Sequence, residues 1–528
     1  MRVRRLPIIV LLVGVLVGGV VLERSRSQQG DTDLRLEAAM PTARPASAVG
    51  STWYCAAGSA TGDTSGFAEQ TVTIANASDS ELTGRLSAYS DKGETRSAPV
   101  RVGPHSRQNI RVSDVLKGVW ASALVELSGG EVTVGQVFQG PAGRAVAACA
   151  SSPAPDWYFP SGSTRNGTRN LLALFNPFPG DATVDLTFDT EDGARTPQQF
   201  QGLVLRGGRV TVVDVGAVVT LRDHVATSIH ARTGRIVAQQ LQSADGREGG
   251  QEGLAVTLGA TIATEVWSFA VATPADSDAH EVIAVINPGE VDAAVEVQVQ
   301  IDDASRVGSV EPYRLMVPAG RSATVDLMAD ARIPRSAGRW IIVRSVEGAP
   351  VVAERTIGAR RTVDGGGLTH TMGVPIGATR WLATFGDPAW ASGSTLAVAN
   401  PSSGVEAHVT VTVHGAGDAK DLGGLIDVVV APGERRVVDL SAALGNRTEA
   451  SLAIASDVPV VAGQLIVSSS PVEILTPVVC PISGTISAFD TVVDPQVSLL
   501  ATDELADVDA QSATSATSAT SSTSTTMG

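Results

Sequence analysis

WYFPSGSTRNGTRNLLALFNPFPGDATVDLTFDT, residues 157–190, holds the pattern on which the fold turns. It opens on aromatics at Trp157 and Tyr158, runs through an apolar strand ending at Asn176-Pro177, and passes into Ala182–Phe188, where apolar and polar residues alternate with period two. Three further copies follow the same order. Tryptophans recur at Trp53, Trp157, Trp267 and Trp381, spaced by 104, 110 and 114 residues. The strand-ending asparagines are Asn76, Asn176, Asn287 and Asn400. A turn rich in Gly or Pro (Pro104-His105-Ser106-Arg107, Gly207-Gly208-Arg209, Pro318-Ala319-Gly320-Arg321, Pro432-Gly433-Glu434-Arg435) then leads a strand to Asp114, Asp214, Asp326 and Asp439. The asparagine-to-aspartate spacings are 38, 38, 39 and 39, constant enough over two intervening strands to imply one shared unit.

Each copy has room for seven or eight strands of four to eight residues, the size and rhythm of an immunoglobulin-like sandwich. The expected fold is therefore all-β, four tandem immunoglobulin-like β-sandwich domains at 51–150, 151–260, 261–374 and 375–489. Two propeller blades per copy would fit the strand count, but blades repeat at about 40–50 residues and no half-period self-similarity is present. Composition agrees: 54 Gly and 27 Pro punctuate Val-rich and Thr-rich runs, and aromatics are only 4% of 528 residues.

The formal net charge of -16 argues against a nucleic-acid phosphate backbone as partner. Lysine occurs at Lys92, Lys117 and Lys420 alone, so the basic charge is nearly all arginine, as in proteins of GC-rich bacterial genomes, and lysine Schiff-base chemistry is not expected. Leu6–Leu22 is apolar throughout, with arginines on both sides. Seventeen helical residues reach about 25 Å, close to a hydrocarbon core of roughly 30 Å. With a weak small-residue site at Val17-Gly18-Gly19, this segment is expected to be an uncleaved transmembrane signal anchor. Residues 1–5 would then be cytoplasmic and the rest extracytoplasmic, with a linker at 23–50 and a disordered Ser/Thr-rich tail at 490–528.

Trp157–Thr164, the apolar-Asn-Pro strand, the Pro104–Arg107 turn and Pro350-Val351-Val352-Ala353-Glu354-Arg355 resemble a β-repeat of secreted actinobacterial proteins in an uncharacterised domain-of-unknown-function family. The resemblance covers roughly Ser51–Phe489. It implies export and a β-sandwich array and supplies no catalytic residue. The third copy lacks the Trp-Tyr pair and the fourth lacks Glu-Arg.

Three cysteines are odd for an oxidising compartment. Cys55 and Cys149 lie in the opening and closing strands of the first copy and are expected to pair. Cys55 with Cys480, tying the ends of the array together, is the alternative. No metal or cofactor site is expected: the seven histidines show no ligand spacing, and His224/His230 and His408/His414 are read as solvent-facing strand residues. No nucleophile elbow or phosphate loop occurs, so no catalytic residue is named. The recurring aspartates are read as turn acceptors and the recurring tryptophans as core. Trp120, Trp340 and above all Trp390, in the extra loop Gly386–Gly393, are the candidate binding aromatics. The functional expectation is a non-enzymatic, membrane-anchored scaffold or adhesion module of the cell envelope, single-pass in the cell membrane. A glycan-binding protein, or an accessory factor in cell-wall glycan biosynthesis, is the alternative.

Overall fold

A computed structural model describes residues 36–247, 250–271, 279–302, 310–335, 337–362, 365–385, 391–415, 418–421, 428–440, 450–469 and 472–489. The expected membrane anchor and the tail lie outside them. Among the described residues no helix is long and apolar enough to cross a membrane.

The chain is all-β. In the first repeat β1 (Gly50–Ala60), β2 (Glu69–Asn76), β3 (Leu82–Ser90), β4 (Thr95–Val102), β5 (Ser106–Arg111), β6 (Gly118–Ser128), β7 (Val132–Gly140) and β8 (Gly143–Ala148) form two antiparallel sheets. One has the order β4-β3-β6-β1 and the other β5-β2-β7-β8. Their inner faces share a core in which Trp53, Leu86 and Val125 of the first sheet meet Val72, Ile74 and Val134 of the second. Alternation drives this arrangement: in Ala182–Thr190, the counterpart of β3, Ala182, Val184, Leu186 and Phe188 are buried while Thr183, Asp185 and Thr187 are partly exposed.

The connectivity corrects the immunoglobulin expectation. As in an immunoglobulin domain, the second strand pairs with the fifth and the third with the sixth. The first strand, however, sits beside the sixth and the seventh beside the second, so these two have exchanged sheets. The chain re-crosses at the end of each repeat: after β8, Ala150 pairs with Tyr54 at the edge of the other sheet, as Ala260 does with Tyr158 and Val374 with Ser268.

The strand-ending asparagines form the most regular device in the molecule. Asn76, Asn176, Asn287 and Asn400 are fully buried. Each Nδ2 donates to the turn it precedes (Ser80, Gly180, Val291 and Val405 O) and to the end of the β4-type strand (Val102, Leu205, Val317 and Val430 O). Each Oδ1 accepts the N–H two residues on. A buried amide whose donors and acceptor are satisfied this way welds the two sheets at one corner.

The repeats are not strung as beads. The closing strands, β8, Glu252–Leu258, Gly365–Met372 and Val472–Leu475, gather around one axis. Ala145 and Ala147 pack on Leu254 and Val256; Thr257 Oγ1 donates to His370 O; Gly365 bridges Val472; and Arg144 pairs with Glu473, returning to the first repeat. The result is a closed, propeller-like ring of four units. From residue 36 on, the stretch expected to be a free linker is docked across one end of the axis. Ala43 bridges Ile482 of the fourth repeat, Arg44 O accepts from Glu131 N of the first, and Ala38 O accepts from Thr261 at the start of the third.

Candidate functional site

Each repeat meets the previous one through the same pair of positions. The fourth residue after the opening tryptophan (Ala57, Ser161, Val271, Phe385) faces a β7 position of the next repeat (Gln239, Glu354, Gly463 and, closing the circle, Gly135). Gln239 Nε2 donates to Ala57 O at 3.2 Å, and Glu354 Oε2 accepts from Ser161 N at 2.8 Å. At the other two seams the long side chain is on the opposite partner. A Cβ at Gly463 would lie 2.7 Å from Val271 Cγ2, and one at Gly135 3.0 Å from the Phe385 ring. Thus wherever one partner is large the other is small, and the glycines are required by close approach.

The recurring turn arginines serve the same seams. Arg321 pairs with Asp189 at 2.5 Å, and Arg435 pairs with Asp302 at 2.7 Å and donates to Ala270 O at 2.5 Å. Arg107 donates to Ala450 O at 3.2 Å and lies over the Phe385 ring, and Arg209 lies against the Gly93 turn. In every case the partner belongs to the preceding repeat, the fourth preceding the first. Beside Arg435, Glu281 is fully buried and pairs with both Arg339 and Arg355. Burial lowers the Arg355 guanidinium to about 10 despite the Glu281 carboxylate. Burial likewise pushes the Glu354 carboxyl up to about 8, outweighing its bonds to Ser161 and Thr257.

The seam between fourth and first repeats carries a different group. His105 Nδ1 and His414 Nδ1 are 2.8 Å apart across it, and His105 Nε2 meets Asp79 Oδ1 at 2.8 Å. Burial, reinforced by His105, lowers His414 to about 4. Cys480 lies at the same seam, opposite Leu382 and within the core of the first repeat, where burial raises its thiol to about 11.

Three recesses follow from the ring. At one end of the axis, a recess of ≈ 250 Å³ is lined from all four repeats, including Arg144, Glu252, Leu368 and Glu473. Towards the other end, an apolar cavity of ≈ 60 Å³ lies under Ala39–Pro41. A polar cleft of ≈ 260 Å³ between the second and third repeats holds Arg165, Asp223, Asp245, Arg247 and His280; its arginines pair with its aspartates. On the outside, the β4-type strands Leu203–Leu205, Tyr313–Val317 and Val428–Val430 pair on one side only among the described residues, and carry Val204, Met316 and Val429 outward at 54%, 64% and 41% exposure. The first repeat has Arg101, paired with Glu81, at this position.

The residues singled out from sequence fall as follows. Cys55 and Cys149 form a disulfide with Cα atoms 4.5 Å apart. Trp390 lies outside the described residues. Trp340 is buried, with its indole N–H on Ser268, and Trp120 is half-buried against Phe67; neither is the exposed platform expected of it. The four opening tryptophans are buried, and the indole N–H groups of Trp157, Trp267 and Trp381 bond to backbone carbonyls. Asp326 caps the turn after it by accepting from Met328 N, whereas Asp214 pairs with Arg169. Of the four histidines expected to face solvent, His230 and His408 do so at 63% and 42% exposure, His224 is half-buried against Ser322, and His414 is buried in the closing seam; His370, outside that expectation, is buried on Thr356. The seam arginines were missed: their recurrence was visible in the turns, but compositional bias accounted for arginine before position could.

Residues 130–353 match a family of unknown function, DUF5719. No curated protein matches the chain. Among solved structures, Thermotoga maritima 1070 is 19% identical over 21% of this chain and 93% of its own, with a TM-score of 0.18. An Anabaena sensory rhodopsin transducer is 29% identical over 17% of this chain and 94% of its own, TM-score 0.14. The Streptomyces avermitilis α-L-rhamnosidase in complex with L-rhamnose is 10% identical over 66% and 44%, TM-score 0.14.

Proposed function

We propose that the protein is a non-enzymatic scaffold of the cell envelope, in which a membrane anchor at residues 6–22 presents four immunoglobulin-related sandwiches, bound into one ring, to protein partners outside the membrane. The observation that carries this reading is the recurrence of free β-edges with an outward apolar residue, Val204, Met316 and Val429, at equivalent places on three units. Exposed edges are templates for strand addition by a second chain, and soluble proteins commonly blunt them with charge, as Arg101 and Glu81 do on the first unit. A scaffold that leaves this edge uncharged on three of its four units has surfaces for several partners or for several copies of one. The disulfide fits an oxidising compartment.

The test is crosslinking in intact cells with wild type and with Val204→Glu, Met316→Glu and Val429→Glu combined. The reading expects envelope proteins crosslinked to wild type and lost in the triple variant at unchanged thermal stability, and full-length chain in the membrane pellet. Identical crosslinks in both proteins, or a soluble form truncated near residue 20, would contradict it.

A further inference from the structure

His105 stands where the other repeats place glycine. The residue just before the one facing the strand-ending asparagine is Gly208, Gly320 and Gly433 in repeats two to four, at φ of 61°, 69° and 70°. In the first repeat it is His105, at φ 47°. A side chain in this left-handed region is disfavoured relative to glycine, and persists where its surroundings hold it. His105 is held by Asp79 of its own repeat and by the fourth repeat. His414 lies at the seventh residue after the start of its β3-type strand, a position occupied by Tyr89, Asp189 and Gln300 elsewhere, and meets His105 across the closing seam.

We propose that this cross-seam histidine pair is a proton-sensitive clasp that opens the ring between its first and fourth repeats on acidification. The geometry allows one proton between the two Nδ1 atoms at 2.8 Å: one ring donates and the other accepts. Protonating both rings would set N–H against N–H and place two positive charges in contact. Asp79 bonds the far nitrogen of His105 and is 98% exposed, so solvent screens its charge. Arg107 lies two residues along the chain from His105, donating to Ala450 O and resting over the Phe385 ring. Among the described residues, this seam also carries the ion pairs Arg380 with Glu131 and Arg144 with Glu473. Opening frees the His414 imidazole to take up a proton in water, so acid favours the open ring.

Cys480 reports on this seam, because its thiol is buried in the core of the first repeat although it belongs to the fourth. The experiment labels Cys480 of the full-length chain in detergent with a thiol reagent at pH 7.5 and pH 5, each rate divided by that of the urea-unfolded chain at the same pH. With His414 held near 4 in the closed ring and near 6.5 in the open one, one linked proton raises the normalised rate about thirtyfold at pH 5. His414→Gln removes the titrating group and leaves the rate flat. His105→Gly restores the residue found in the other repeats, keeps the seam closed at pH 7.5, and reduces the response to about threefold or less by letting water reach His414. If His414→Gln labels rapidly at both pH values because the seam no longer closes, the His105→Gly result decides. A pH-independent rate in wild type, or a thirtyfold response kept by His105→Gly, overturns the proposal.

Discussion

The seam between the second and third repeats and the seam that closes the ring use the same backbone positions with opposite chemistry. At the first, Glu354 reaches to the Ser161 backbone, Arg321 pairs with Asp189, and Ser322 N–H and Oγ bond the same aspartate at 2.7 and 2.6 Å. At the second, Gly135 accepts the Phe385 ring, two histidines share a contact, and the segment from residue 36 docks across one end of the axis. Sequentially adjacent repeats are held close by their connection, so a polar seam with directional bonds suffices to fix their angle. The first and fourth repeats have no such tether, and their seam adds apolar packing and a docked segment. One seam specifies geometry and the other supplies closure.

The largest expected effect lies in the ionic network beside the seam of the third and fourth repeats. Glu281→Gln leaves Arg339 and Arg355 buried without their shared carboxylate and should lower unfolding stability by about 3–5 kcal/mol in chemical denaturation. Replacing Asn176 by Ala should cost about 2–3 kcal/mol, since two carbonyls and an N–H lose their partner at a buried corner, and the same change at Asn400 should match it if the corners are equivalent. Gly135→Val should cost about 1–3 kcal/mol, because the new side chain meets the Phe385 ring and Thr384. Its mark is a seam-specific rise in Cys480 labelling without a matching change in amide exchange at the Glu354 seam.

The two seams also differ in pH response. Glu354 binds its proton more tightly folded, at about 8, than at its ordinary value of 4.5. Its contribution is therefore whole below about pH 4.5 and is lost as pH rises towards 8, on the order of 1 kcal/mol per pH unit at most. Glu354→Gln should flatten this slope. The His414 contribution has the reverse sign: it is whole above about pH 6.5 and is lost as pH falls towards 4. Urea midpoints of the two variants across this range separate the contributions.

The repeat phase was legible because tryptophan, asparagine and aspartate sit where every unit needs the same thing: a core anchor, a corner latch and a turn. Strand content was equally readable from alternation. The sheet assignment was not, since exchanging the first and seventh strands leaves each strand's alternation intact. Ring closure was hidden for a related reason: Gly135 and Phe385 are far apart in sequence, and the residue type at each of their recurring positions changes from repeat to repeat. A signal did exist. Read cyclically, Ala57, Ser161, Val271 and Phe385 against Gln239, Glu354, Gly463 and Gly135 pair small with large at each step, an anticorrelation that a linear array would not need.

Closure of the ring is the claim from which the rest follows, and small-angle X-ray scattering of residues 36–489 tests it directly. A closed assembly of this length should have a radius of gyration of about 22–25 Å, whereas four units of about 34 Å diameter strung end to end should approach 40 Å. At neutral pH the account predicts the smaller value with a single compact distance distribution. A radius near 40 Å, or a distribution extending beyond about 120 Å, would contradict it.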